Sequence, residues 1–198
     1  MNLIVIEANI GVGKTHLTGE IAELLSATPW LEPVETNPYL ELYYKDPKRW
    51  GLEMQYYLMS RRFEDHQKAI ESIWRTQKPC VFDRSIYGDL AFAILNHEIG
   101  NIDDLGWKAY TRMRNMMFRF LLAPQFCIYL DCEPGVAFGR IQHRGRECET
   151  GITLEYLEGL QRAYAVVLED LENRGTKIIR IDYNKFVPAA DIVGMLKL

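Results

Sequence analysis

Four short apolar runs, LIVIEA at 3–8, PCVFD at 79–83, QFCIYLD at 125–131 and TKIIRID at 176–182, recur between long amphipathic segments. Runs of this length, bounded by turn residues and separated by helical patterns, mark parallel strands buried on both faces and joined by crossover helices. The chain is therefore expected to be α/β. A further strand is expected at 31–35, LEPVE, after the first helix. Helical spacing predicts helices over 13–27, 48–76, 85–97, 104–122, 134–142, 153–173 and 188–197. Pro134 and Pro188 suit first helical turns, Pro47 precedes the longest helix, and Gly175 follows another as a stop. No repeat or low-complexity linker interrupts the pattern, and 198 residues suit a single domain spanning the chain.

The first run leads directly into Ala8-Asn9-Ile10-Gly11-Val12-Gly13-Lys14-Thr15. A phosphate-cradling loop has the form G-x-x-x-x-G-K-[ST], between a strand and a helix. Its backbone N–H groups face the phosphates, the lysine adds a point charge, and the hydroxyl can ligate magnesium. Asn9 through Thr15, with His16 beyond, are thus expected to hold a nucleotide, and Thr15 its metal. Ala8 departs from the pattern, because glycine tolerates positive φ and close backbone approach where alanine adds a methyl. Lower nucleotide affinity is the expectation. The loop alone leaves the chemistry open among a nucleoside kinase, a nucleoside monophosphate kinase and a nucleotide-binding module with little turnover.

A net charge of −4 argues against broad attraction to nucleic acid, and no apolar run approaches the roughly 18 residues of a membrane span. The N-terminus leaves no room for a secretory signal, so a cytoplasmic protein is expected. Cys80, Cys127, Cys132 and Cys148 lack C-x-x-C spacing and read as reduced thiols, three of them in or beside strand-like runs.

Three further segments narrow the choice: EPVETNPYLELYYKDPKRWGLEMQYYLMSRR, FDRSIYGD and RGRECETGITLEYLEGL. Together with the loop, and in this order along nearly the whole chain, they resemble the deoxynucleoside kinase family. That resemblance implies a P-loop kinase-type three-layer fold, a five-stranded parallel sheet flanked by helices and an arginine-rich lid at about 140–150. It implies ATP or another nucleoside triphosphate as phosphate donor, Mg2+, a deoxynucleoside acceptor and a homodimer. Glu32 matches the family's catalytic base, a carboxylate that orients the 5'-hydroxyl and accepts its proton. Asp83 and Arg84 stand at the end of the apolar run at 79–83, where α/β sheets place ligands. Arg84 matches the arginine that holds the base and the 5'-oxygen, and Asp83 an acid associated with proton or magnesium handling.

Gln55, Met59 and Arg62 are spaced i, i+4, i+7 on one helix face, a plausible surface for reading a nucleobase. By resemblance Gln55 bonds the base edge, Arg62 pairs with Asp89, and Tyr44 with Glu149 grips the 3'-hydroxyl. Arg140, Arg144 and Arg146 form the lid cluster, while Asp182 and Phe186 lie where the donor base packs. Relatives place phenylalanines about the acceptor base, but Met54 and Ala93 occupy those positions here, with Phe92 adjacent. A roomier base site that favours purines is the expectation. The helix segment LGWKAYTRMRNMMFRFLL, rich in Met and aromatics, suits either the core or a subunit interface.

Overall fold

Alternation along the first strand sets up two cores. The computed structural model describes residues 3–31, 37–146 and 149–196. In β1 (Leu3–Ala8), Leu3 and Val5 face one apolar layer, while Ile4, Ile6 and Ala8 face the other. Every β1 residue is buried, as a strand covered on both sides requires. Five parallel strands form the sheet: β2 (Thr28–Trp30), β3 (Cys80–Asp83), β1, β4 (Phe126–Asp131) and β5 (Lys177–Asp182), in that spatial order. The sequence order of the strands jumps across β1, which places a crevice at the carboxyl ends of β1 and β3.

On one face lie α3 (Pro47–Thr76), α4 (Asp89–Glu98), α5 (Asp104–Met117) and α7 (Leu154–Asn173). On the other lie α1 (Lys14–Leu24), α6 (Pro134–Arg144) and α8 (Ala189–Met195). A short α2 (Leu40–Lys45) packs against α3 near the crevice. Side-chain caps define several starts. Asp46 accepts from the Arg49 N–H ahead of Pro47, Asp103 from Gly106 and Thr153 from Tyr156.

The structure departs from the sequence expectations at a few boundaries. The fifth strand, expected at 31–35, lies at Thr28–Trp30, while residues 32–36 fall outside the described residues. Its three residues pair with Cys80–Phe82 at the sheet edge, where Pro29 is tolerated because one side of the strand needs no donor. Trp30 stacks on Phe82 with ring centroids 5.7 Å apart and stands in for a long apolar run. The helix expected over 85–97 begins at Asp89, because Ser85 to Gly88 turn around a buried acid. That expected over 104–122 ends at Met117 and tightens into a 3-10 turn at Phe118–Phe120. The short α2 was not anticipated from the sequence.

Candidate functional site

Strand β1 delivers the chain into the loop at 9–13, and α1 starts at Lys14. Gly11 and Gly13 adopt φ of 79° and 104°, conformations that side chains resist. A Cβ on Gly11 would also meet Ile141 and the Ala137 carbonyl of α6. Asn9 fixes the loop at its base, donating to the Leu157 carbonyl at 2.8 Å and accepting from the Ile10 N–H at 2.8 Å. Lys14 is buried and donates to the Asn9 carbonyl at 3.2 Å, folded across the loop it serves. Ala8 pairs with Leu130 inside the sheet, and its methyl joins the apolar layer under α1. Positive φ is not required there, so the missing glycine costs the loop nothing in backbone geometry.

Beside the loop opens a cavity of about 350 Å³. Its floor holds Lys14, Thr15, Asp83 and Arg84; Gln55, Arg62, Asp89 and Phe92 line the side formed by α3 and α4. Tyr44, Arg144, Arg146 and Glu149 complete the rim, with Ile10, Gly11, Gly13 and His16 at the loop end. Residues as far apart in sequence as Ile10 and Tyr156 are thus gathered at one crevice. The Thr15 hydroxyl donates to Asp83 Oδ2 at 2.5 Å. The other oxygen, Asp83 Oδ1, is buried without a hydrogen-bond partner among the described residues. A hydroxyl and a carboxylate with a spare oxygen are hard donors of the kind Mg2+ takes, so these two residues fit the metal.

Arg62 and Asp89 are both buried, with Nε 2.8 Å from Oδ1. Arg62 also donates through Nη1 to the Arg84 carbonyl at 3.1 Å. Gln55 is buried at the cavity wall, and its Oε1 has no hydrogen-bond partner among the described residues, an acceptor available to a ligand's N–H. Arg144 donates to both oxygens of Glu149, at 2.6 and 2.5 Å, and Arg146 approaches the same carboxylate at 3.6 Å. Phe92 presents its ring to the cavity, with the Arg84 guanidinium 4.6 Å from its centroid.

Other expected residues stand apart from this cavity. Met59 is packed into the core beneath α3, while Met54 and Leu58 line the wall instead. Val12 is buried in the opposite apolar layer. Arg140 donates to the carbonyls of Val12, Tyr183 and Asn184 at 3.3, 3.0 and 2.9 Å, tying the phosphate loop to the segment after β5. It lies 4.5 Å from the ring centroid of Phe186, which is largely exposed beside Gly13. Asp182 is exposed and accepts from the Asn184 N–H at 3.0 Å. Glu32 lies outside the described residues.

Several groups in or behind the cavity wall were missed by sequence reasoning. Glu7, fully buried in β1, accepts from the Ser85 N–H and hydroxyl at 2.8 and 2.6 Å and from the Tyr164 hydroxyl at 3.2 Å. An acid within an otherwise apolar strand run was the available signal, since a buried carboxylate requires partners. Tyr43 donates to Asn96 Oδ1 at 2.8 Å and meets the Tyr156 hydroxyl at 3.3 Å, anchoring α2 and with it Tyr44. Burial raises the pKa of Tyr43, Tyr156 and Tyr164, so their hydroxyls stay protonated.

Comparison with known proteins agrees with this geometry. Residues 4–192 match the family model described as deoxynucleoside kinase. A deoxyadenosine kinase of Dictyostelium discoideum is 36% identical over 194 residues, covering 98% of this chain and 77% of that protein. A deoxyguanosine kinase of the same organism is 35% identical over 184 residues, covering 93% of this chain but 65% of that protein. Among solved structures, the deoxyadenosine kinase from M. mycoides with bound dATP superposes with a TM-score of 0.86 at 28% identity, over 100% of both chains.

Proposed function

The chain belongs to the deoxynucleoside kinase family, and from that premise we propose that it transfers the γ-phosphoryl group of ATP, or of another nucleoside triphosphate, to the 5'-hydroxyl of a deoxynucleoside. Deoxyadenosine and deoxyguanosine are the preferred acceptors, with deoxycytidine also in reach. The observation that carries this reading is the single cavity in which Lys14 and Thr15 of the phosphate loop face Gln55, Arg62, Asp89 and Glu149. One end has the chemistry of a phosphate site and the other that of a neutral, hydrogen-bonding acceptor. The acidic Glu149 disfavours an acceptor that already carries a phosphate.

The loop N–H groups and Lys14 hold the donor phosphates, helped by the N-terminus of α1. Mg2+ held by Thr15 and Asp83 would neutralise charge on the donor phosphates. Phosphoryl transfer asks the protein for alignment and charge stabilisation more than for covalent chemistry. Glu32 is assigned as the base that takes the 5'-hydroxyl proton, and Arg84 as the group that holds that oxygen. Tyr44 and Glu149 orient the sugar through its 3'-hydroxyl, and Gln55 reads the base edge. Arg144 and Arg146 exchange Glu149 for the transferring phosphoryl group. Arg140, Asp182 and Phe186 act at the donor-base side, where Arg140 sets the loop in place.

Base preference follows from the walls. Met54, Leu58 and Phe92 line the cavity, while Ala93 is buried away from it. Met54 and Ala93, at the positions where the resemblance places phenylalanines, leave space for a bicyclic base. The single-domain organisation, the lid at 140–150 and the homodimer belong to the same proposal. Met113, Met116 and Phe120 are exposed along and just beyond α5, apolar surface that suits a second copy. Cys80, Cys127 and Cys132 are free and buried, in keeping with a reducing, cytoplasmic setting.

The test follows label from γ-phosphate-labelled ATP into products. Label at the 5'-oxygen of deoxynucleosides supports the proposal. Label entering only deoxynucleoside monophosphates, or ATP binding without transfer to any acceptor, would overturn it.

A further inference from the structure

Arg84 combines a strained backbone with a tightly held side chain. Its φ of +62° lies in the left-handed region, which non-glycine residues adopt at a cost. Three contacts fix that conformation from the backbone side. The Arg84 N–H donates to the Ile6 carbonyl at 3.0 Å, the Arg84 carbonyl accepts from Arg62 at 3.1 Å, and the next N–H, of Ser85, donates to Glu7 at 2.8 Å. The left-handed turn directs the chain from β3 around the Glu7 carboxylate. Packing there is close, since a Cβ added to Gly88 would overlap that carboxylate.

The side chain is fixed by the same acid, one step removed. Arg84 Nη1 donates to the Tyr164 hydroxyl, which in turn donates to Glu7 Oε2 at 3.2 Å. Glu7 and Tyr164 are completely buried, and the Ser85 hydroxyl takes up the other carboxylate oxygen at 2.6 Å. Each group in the series donates in one direction, so each bond polarises the next. Register explains why the acid stands here. Ile6 pairs with Asp83, which brings Glu7 alongside Arg84, and alternation turns Glu7 toward α7, where Tyr164 sits. A buried carboxylate at this position is an expensive choice for strand packing alone, because an apolar side chain would fill it without desolvation.

We infer that Glu7 and Tyr164 are positioning residues for phosphoryl transfer: through the Tyr164 hydroxyl and the Ser85 turn, Glu7 holds Arg84 in its left-handed conformation with its guanidinium at the cavity floor. This rests on the reading of Arg84 as the residue that holds the 5'-oxygen. Neither residue touches the cavity, so the effect reaches the acceptor only through Arg84. A misplaced guanidinium lowers the rate of transfer while leaving the donor phosphates bound by the separate loop.

A double-mutant cycle in the full chain tests this. Tyr164→Phe removes one hydroxyl and keeps the ring. It is expected to lower kcat roughly 10- to 100-fold, the scale of a small misplacement of an aligning group. The dissociation constant for ATP and the melting temperature should stay near those of the parent. Arg84→Lys is expected to lower kcat by itself, and adding Tyr164→Phe to it should cost little more, since both changes act on one group. Parental kcat in Tyr164→Phe, or losses that multiply in the double variant, would overturn the inference alone. Parental kcat in Arg84→Lys would instead overturn the assignment of Arg84. Should the Tyr164→Phe variant fail to fold, Glu7→Gln substitutes for it with the same expectations, because the amide still accepts from Ser85 but no longer offers Tyr164 a charge.

Discussion

Arg62 Nε lies 2.8 Å from Asp89 Oδ1, a buried ion pair that joins the middle of α3 to the first residue of α4 at the cavity wall. The two charges are close without being aligned as a hydrogen bond, and Arg62 also secures the Arg84 carbonyl. A pair so placed couples the wall of the cavity to its floor. Asp89→Ala removes a carboxylate that pairs with a buried guanidinium. Urea unfolding should register a loss of about 3–5 kcal/mol, the usual cost of breaking a buried pair from one side. Unchanged stability would mean that Arg62 reaches solvent.

Thr15 and Asp83 should reveal themselves through magnesium. Thr15→Val keeps the shape of the side chain and removes the hydroxyl that donates to Asp83 at 2.5 Å. The Mg2+ concentration for half-maximal rate should rise about tenfold or more, the scale expected when a ligand or its support is lost. A titration that overlays the parent's would remove Thr15 from the metal site.

Ala8 offers a test of the loop itself. Its methyl is buried in the sheet and faces away from the cavity. Ala8→Gly should therefore leave ATP affinity unchanged and lower stability by about 0.5–1 kcal/mol, because glycine in a strand loses more freedom on folding. Isothermal titration together with thermal melting separates the two effects. Tighter ATP binding in the glycine variant would restore the view that alanine weakens the loop.

Acid should unfold this protein partly through His66. The imidazole is buried on α3 between Phe82 and Tyr87, and Nε2 lies 3.0 Å from the Leu122 carbonyl. Burial lowers its pKa from 6.5 to about 4. Above pH 6.5 both folded and unfolded states hold it neutral, and its contribution is fully present. Between 6.5 and about 4 the unfolded chain binds the proton first, so stability falls, by up to roughly 3 kcal/mol in all. In His66→Phe this part of the pH dependence should vanish from the melting curves. An identical pH profile would place the titration elsewhere.

Periodicity and punctuation made β1, β3, β4, β5 and the phosphate loop legible, because buried parallel strands and Gly-Lys-Thr spacing leave strong local signals. A fifth strand after the first helix was legible but its position was not: three residues with a proline at an edge carry no run, and their pairing with Cys80–Phe82 is a tertiary fact. The site divided in the same way. Arg62 and Asp89 were paired through resemblance, and the structure brings them to 2.8 Å. Glu7 and Tyr164 stayed hidden because their meaning lies in a contact 157 residues apart in sequence. Met59 shows the limit of helical spacing, since sharing a face with Gln55 and Arg62 did not decide whether it met the cavity or the core.

The most direct test is a steady-state comparison of deoxyadenosine, deoxyguanosine, deoxycytidine and thymidine as acceptors with saturating ATP and Mg2+. Phosphoryl transfer to the 5'-hydroxyl with the highest kcat/KM for one of the two purine deoxynucleosides is the expected result. The highest kcat/KM for deoxycytidine or thymidine, or turnover confined to monophosphates, would contradict it.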